Sequence, residues 1–278
     1  MTPTELLIFA GAGLFAGILA GFLGIGGGTV LVPFLMALGY EYPQAVAISL
    51  LAIVITASSG SWQNWRMGLF SFERVIGIGI PALVAAPIGA YLTGVFPQHW
   101  LEVAFGIMLL FSIYLLQLRI QLRKTITAKY KPESPSVQPS KRLPQHLVLQ
   151  TLMARIATGI AAGMLAGFFG VGGGAVMVPL QILLLGETIK TAIQTSLGVI
   201  VITAISACVG HALQGNLLWA QGLMLGVGGS LGALISTRFL PKLPERVVSL
   251  AFCTLLVMLS ISVFWQAWQD YRGYTVLL

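Results

Sequence analysis

Residues 17–33 read GILAGFLGIGGGTVLVP, and residues 163–179 read GMLAGFFGVGGGAVMVP. The two stretches align without a gap at an offset of 146, and twelve of their seventeen positions are identical. The match continues at an offset of 147, where Ala45, Ser49, Gly68 and Pro97 correspond to Ala192, Ser196, Gly215 and Pro244. The sequence therefore predicts a duplication of one unit.

The composition is that of a membrane protein, because 57% of the 278 residues are hydrophobic and only 8% are charged. Eight apolar segments approach or exceed the length of a helix that crosses about 30 Å of hydrocarbon. They cover residues 5–38, 43–65, 72–95, 99–118, 148–185, 189–213, 217–240 and 244–266. Their apolar runs are continuous, whereas β-barrel strands alternate. The predicted fold is an all-α integral membrane protein.

A basic segment separates the two copies. Seven of the fifteen Lys and Arg residues lie between Arg119 and Arg142, in a polar stretch rich in Pro and Ser. The predicted organisation is a first transmembrane repeat (1–118), a linker (119–147) and a second transmembrane repeat (148–278). Because short loops rich in Lys and Arg stay in the cytoplasm, the linker is predicted to be cytoplasmic. Its charge is expected to face solvent and lipid headgroups, not nucleic acid.

Matching loops of the two copies carry opposite charge bias. The 66–74 loop has Arg66 and Arg74, whereas the 211–219 loop has no Lys or Arg; the 94–100 loop has none, whereas 238–246 has three. Two copies inserted upside down relative to each other would give this pattern. An inverted repeat requires the first, glycine-interrupted segment of each copy to enter and leave on one side. A parallel repeat with four full spans per copy is the alternative.

Three successive glycines in each copy predict a break in the helix. They are Gly26, Gly27 and Gly28 in the first copy and Gly172, Gly173 and Gly174 in the second. Each glycine weakens a helix by roughly 1 kcal/mol relative to Ala. Glycines can instead serve close helix packing, and Gly13, Gly17 and Gly21, spaced four apart, suit that role better.

A short helix of about half a span is predicted to restart after each break, at Thr29 and at Ala175. The start of a helix offers unpaired N–H groups and the positive end of the helix dipole, which together bind anions. We therefore expect an anion to bind at the two restarts near the middle of the membrane, with the two repeats rocking around it.

Polar side chains in membrane helices are costly and mark candidate transport pathways. Those singled out as candidate hydrogen-bonding groups for the anion are Ser49, Gln63, Asn64, Gln194, Ser196 and His211. Interhelical hydrogen bonding is the alternative role for each. Asn64 and His211 occupy matching positions, and His211 could couple proton flow to transport because histidine titrates near neutral pH.

The paired GxGGG[TA]xxVP motifs, in two apolar halves around a basic loop, resemble the TauE/SafE sulfite exporter family over nearly the whole chain. The AxxxS patterns at Ala45–Ser49 and Ala192–Ser196 and the PER at Pro244–Arg246 also resemble family features. The matching first-half stretch, FPQHW at 96–100, departs from PER. The resemblance implies a permease of the bacterial inner membrane that exports sulfite, sulfonates or related sulfur oxyanions.

Two other classes of function, an intramembrane enzyme and a structural membrane protein, fit the sequence less well. An intramembrane enzyme needs a nucleophile with a base, or metal ligands, and the sequence has no HExxH, no GxSxG and no paired intramembrane carboxylates. A structural membrane protein without transport gives no reason for a duplicated helix break. We expect a transporter without cofactor or metal, for a sulfur oxyanion or another small organic anion. A chain of this length could also form a homodimer.

Overall fold

The computed structural model describes residues 3–129 and 145–276, and these residues form ten α-helices. In chain order the helices are α1 (Pro3–Leu23), α2 (Gly28–Ala37), α3 (Tyr42–Arg66), α4 (Phe72–Thr93), α5 (Gln98–Lys129), α6 (Gln145–Phe169), α7 (Gly174–Leu184), α8 (Ile189–Leu213), α9 (Trp219–Phe239) and α10 (Glu245–Val276). Eight of them are long and apolar enough to cross a membrane, and the two short ones, α2 and α7, follow the glycine runs. The predicted all-helical membrane fold is confirmed.

The same helix order occurs twice, as α1–α5 and as α6–α10. The predicted linker, residues 119–147, falls between them. Helix α5 continues into the linker as far as Lys129, and α6 begins within it at Gln145. Residues 130–144 of the predicted linker lie outside the described residues.

The first helix of each half packs against the fourth helix of the other half. Along α1, Gly13, Gly17 and Gly21 face α9 at Leu225, Gly229 and Ser236, so the two helices run in the same direction. Along α6, Gly159, Gly163 and Gly167 face α4 at Ile78, Ala82 and Ala86 in the same way. The packing role predicted for the spaced glycines of α1 is confirmed, since a side chain at any of them would collide with the partner helix.

Helices α3 and α8 occupy corresponding places in the two halves and cross at the centre of the molecule. Ile53 and Ile200 both lie beside Gly172 at the crossing. Gly60, seven residues further along α3, faces Leu197, which lies three residues earlier on α8. The two helices therefore run in opposite directions.

Charged side chains join the two halves at one end of the bundle. Arg74, at the start of α4, lies 3.4 Å from Glu187 in the α7–α8 loop. At the same end, within the second half, Lys190 Nζ donates to the carbonyl of Pro241 after α9 at 2.7 Å. Arg155 of α6 pairs with Glu73 of α4 at 2.9 Å. Burial raises the pKa of Glu187, against the opposing effect of the neighbouring arginines.

The outer surface of the bundle is apolar. Large side chains such as Leu7 (72% exposed) and Leu213 (85% exposed) point outward along the spanning helices. Contiguous apolar surface of this extent is stable against lipid chains and unstable in water. The polar and small residues instead lie inside, around α3 and α8.

Candidate anion-binding site

Both predicted helix breaks are present. Helix α1 ends at Leu23 and α2 begins at Gly28, and α6 ends at Phe169 and α7 begins at Gly174. The glycines directly after α1 and α6, Gly24 and Gly170, have φ of 67° and 68°, and the residues that precede α2 and α7, Gly27 and Gly173, have φ of 82° and 80°. These left-handed conformations are costly for residues with a side chain, which explains why the breaks are built from glycine.

The two breaks contact each other between α3 and α8. A side chain on Gly28 would collide with the carbonyl oxygen of Gly170, and one on Gly174 would collide with the carbonyl oxygen of Gly24. The backbones of the two halves are thus in direct contact. The two helix breaks therefore lie side by side, and anion binding between them stays a prediction.

Ser49 and Ser196 bond to the carbonyls where α1 and α6 end. Ser49 Oγ donates to the carbonyl of Gly170 at 2.7 Å, and Ser196 Oγ donates to the carbonyl of Gly24 at 2.8 Å. Each bond runs from one half to the other. Since both hydroxyls are engaged with the backbone in this conformation, the anion-binding role predicted for them stays a prediction.

The starts of α2 and α7 keep backbone donors available. Neither helix has a side-chain cap at its first residue. Thr29, in the first turn of α2, is fully buried, and its hydroxyl has no hydrogen-bond partner among the described residues. Ala175, its counterpart in α7, has no hydroxyl. No Lys or Arg occurs in 24–29 or 170–175, so the donors at the breaks carry no fixed charge.

The other predicted site residues lie further from the breaks. Gln194 is buried near the start of α8, and Gln63 is half-buried in the last turn of α3. Asn64 and His211 are fully buried, each eleven residues beyond the α3–α8 crossing, about 16 Å along its helix. Because α3 and α8 run in opposite directions, these two residues are at opposite ends of the bundle. Asn64 makes no side-chain hydrogen bond to a break within the described residues, whereas His211 bonds the carbonyl of Gly167 at the end of α6, just before the second break.

Several buried polar residues were missed by the sequence analysis. Gln181 of α7 is fully buried, and neither of its amide atoms has a partner among the described residues. In the sequence, Gln181 stands out as a lone polar residue in the apolar run that follows Pro179. Glu102 of α5 is only 1% exposed and interacts electrostatically with the buried Tyr42 of α3. In the sequence it lies too near the predicted start of a segment to indicate a chemical role.

A cavity of about 400 Å³ opens beside the end of α6. It is lined by Phe96, Pro97, Trp100, Leu101, Ala104 and Phe168. This lining offers almost no hydrogen-bond donors, so the cavity does not suit an oxyanion. The uncapped starts of α2 and α7 and the buried Thr29 hydroxyl are the better anion-binding candidates.

Comparison with known proteins places the chain in a family of membrane proteins. The family model described as sulfite exporter TauE/SafE matches residues 9–263. The probable membrane transporter protein YunE of Bacillus subtilis is 28% identical over 270 residues, which cover 94% of this chain and 98% of that protein.

Similar proteins occur in other organisms. A probable membrane transporter protein of Xylella fastidiosa (strain 9a5c) is 26% identical over 283 residues, covering 96% of this chain and 98% of that protein. The probable membrane transporter protein MJ0441 of Methanocaldococcus jannaschii is 27% identical over 207 residues, which cover 72% of this chain and 69% of that protein. With a family match that includes both glycine breaks and all or most of each spanning helix, the chain belongs to the TauE/SafE sulfite exporter family of membrane transporters.

Proposed function

We propose that this protein is a secondary transporter that moves a small sulfur oxyanion, sulfite or an organosulfonate, across the plasma membrane by alternating access. The observation that carries the proposal is the pair of glycine breaks in contact at the centre of the bundle. Helix breaks in a membrane are tolerated only where protein or a water-filled path covers the freed backbone groups. Transport gives a reason for a duplicated break with uncapped helix starts, whereas a purely structural role gives none.

The donors at the breaks suit an oxyanion that must also leave. Backbone N–H groups at the starts of α2 and α7 and the Thr29 hydroxyl can hydrogen-bond sulfite or sulfonate oxygens, and the two helix dipoles favour negative charge. A buried Arg would bind the anion more tightly and slow its release. Carboxylates could use the same donors, so another small organic anion is the alternative substrate.

Packing supports a revised choice of moving units. Helices α1, α3 and α9 pack together, as do α4, α6 and α8, and each group contains helices of both halves. The sequence analysis expected residues 1–118 and 148–278 to rock against each other. We propose instead that these two mixed groups rock, because separating the sequence halves would break the glycine contacts of α1 with α9 and of α6 with α4.

The opposite directions of α3 and α8 support an inverted repeat. Arg66, Arg74, Lys190 and Arg238 lie where α3 and α9 end and where α4 and α8 begin, and the positive-inside rule assigns this end to the cytoplasm. Helix α5 ends and α6 begins on the same side. The linker 119–147 is then cytoplasmic, and the N-terminus faces outside.

The orientation can be tested with one pair of matching residues. Glu41 and Thr188 are both exposed and immediately precede α3 and α8. In a chain with Cys208 and Cys253 replaced by serine, we expect a membrane-impermeant maleimide to label Glu41→Cys in intact cells. Thr188→Cys should be labelled only after permeabilisation. Labelling of both from the same side would favour a parallel repeat.

The binding site can be tested at Thr29. In proteoliposomes, we expect Thr29→Val to reduce saturable uptake of radiolabelled sulfite at least tenfold, a loss of about 1.4 kcal/mol of binding free energy. The variant should fold as well as the wild type, because the hydroxyl it removes has no partner to lose. Competition by sulfate, thiosulfate, organosulfonates and carboxylates in the wild type would rank the substrates.

A matched control is available on α6. Thr158 is also fully buried with an unpartnered hydroxyl among the described residues, but it lies twelve residues before the second break. Thr158→Val should leave sulfite uptake unchanged. Equal uptake by Thr29→Val and wild type would remove Thr29 from the site, and no uptake of any anion by the wild type would contradict the transport proposal itself.

A further inference from the structure

The carbonyl end of α6 is held by side chains from three other helices. His211 of α8 bonds the carbonyl of Gly167 through Nε2 at 2.9 Å. Thr93 of α4 donates to the carbonyl of Phe168 at 3.1 Å, and Ser49 of α3 donates to that of Gly170 at 2.7 Å. These bonds satisfy carbonyls that the end of a helix leaves unpaired. Of the three side chains, only His211 can change its charge near neutral pH.

His211 has one ring nitrogen available for a proton. Because a carbonyl only accepts, Nε2 must carry the hydrogen that it shares with Gly167. In the neutral ring Nδ1 is then the unprotonated nitrogen, and it has no partner among the described residues. The residue is fully buried. An added proton at Nδ1 would place a positive charge beside the negative end of the α6 dipole, a favourable position for a cation.

The matching residue of the first half, Asn64, cannot take up a proton near neutral pH. Asn64 is equally buried, with neither amide atom bonded within the described residues, and an amide does not titrate in this range. The two matching positions therefore differ, since His211 bonds a helix-end carbonyl and can titrate, whereas Asn64 does neither. The titratable residue is at the end opposite the Lys and Arg side chains.

We infer that His211 is the proton-binding residue of this transporter, which takes up a proton at Nδ1 together with the bound anion and carries both across the membrane. The inference rests on the proposed anion-transport function. An imidazolium or an anion alone is expensive to bury, and the two together offset each other's charge. Binding of either therefore favours binding of the other, which is the coupling that proton-driven transport needs.

Other titratable groups lie at the same end of the described structure. They include Cys208 one turn earlier on α8, Glu41 and Tyr42 at the start of α3, Tyr91 on α4 and Glu102 on α5. Tyr91 is 68% exposed on the outer surface, whereas Glu102 and Tyr42 are buried. Neither α7 nor the last two turns of α6 contain a titratable residue. Glu102 is the strongest competing proton carrier, so the experiment includes it.

The test separates exchange from accumulation in proteoliposomes. Sulfite counterflow, with equal pH on both sides, requires the anion site but no net proton movement. Accumulation driven by an imposed pH gradient requires coupling. We expect His211→Asn, which installs the residue found at the matching position of the other half, to keep counterflow within about twofold of wild type. Gradient-driven accumulation should fall at least tenfold, whereas Cys208→Ala and Glu102→Gln should keep both activities.

Sulfite itself binds a proton near neutral pH, so a pH gradient drives some passive accumulation of sulfite in any leaky vesicle. The variants are therefore compared with the wild type under the same gradient. Accumulation by His211→Asn equal to wild type would overturn the inference and leave the transport function intact. Loss of accumulation in Glu102→Gln alone would assign the proton to Glu102 and overturn it also. Equal loss of counterflow and accumulation in His211→Asn would indicate a structural role and would also overturn the inference. Absence of sulfite counterflow in the wild type would overturn the proposed function and the coupling role with it.

Discussion

Replacing Gly28 with alanine is expected to abolish transport and to destabilise the protein. The added Cβ would collide with the carbonyl oxygen of Gly170, and it would lie 2.7 Å from Cδ1 of Ile53. Neither neighbour can retreat easily, because one is backbone and the other sits at the α3–α8 crossing. Overpacking in a filled interior costs about 1–3 kcal/mol or more. Sulfite flux in proteoliposomes and the thermal unfolding midpoint in detergent measure the two effects.

The second half offers an independent repeat of this experiment, and α1 offers a control. Gly174→Ala would collide with the carbonyl oxygen of Gly24 and should behave like Gly28→Ala. Gly11, in the middle of α1, has no atom within 4 Å of the added Cβ, so Gly11→Ala should keep full flux and gain a little helix stability. Wild-type flux and stability in both Gly28→Ala and Gly174→Ala would show that the breaks do not need to touch.

The helices and the breaks could be predicted from the sequence because they depend on local chemistry. Continuous apolar runs of helical length have one stable arrangement in a bilayer, and three consecutive glycines remove the side chains that oppose a break. The partner of each helix could not be predicted in this way. The glycines at 13, 17 and 21 indicate close packing, but nothing in their spacing selects α9, in the other half, over a neighbour in sequence.

The roles of the polar residues were harder to predict, for a physical reason. The sequence predicts anion binding at the N–H groups of the starts of α2 and α7, and it does not indicate which side chains bond the carbonyls. A break also leaves carbonyls at the end of the preceding helix, and these need donors. Ser49, Ser196 and His211 bond such carbonyls. Burial of Glu102 likewise depends on which helices cover α5, which its position in the sequence does not specify.

Ser49 and Ser196 should therefore contribute to stability as a pair. We expect the double variant Ser49→Ala, Ser196→Ala to lose about 1–3 kcal/mol per serine, because each substitution leaves a buried carbonyl of the other half without its donor. The loss should appear as a lower thermal unfolding midpoint. Transport should fall as well, since these two bonds connect α3 and α8 to the ends of the broken helices.

Ser112 and Ser260 provide the matched control for this prediction. Both are buried, and each hydroxyl donates to the carbonyl four residues earlier in its own helix, at 2.9 Å and 2.7 Å. That carbonyl also accepts the backbone bond of the helix, so removing the hydroxyl leaves nothing unsatisfied. The double variant Ser112→Ala, Ser260→Ala should unfold within about 0.5 kcal/mol per site of the wild type. If both double variants lost the same stability, the serines at the breaks would be ordinary buried hydroxyls, and the carbonyls of Gly24 and Gly170 would not depend on them.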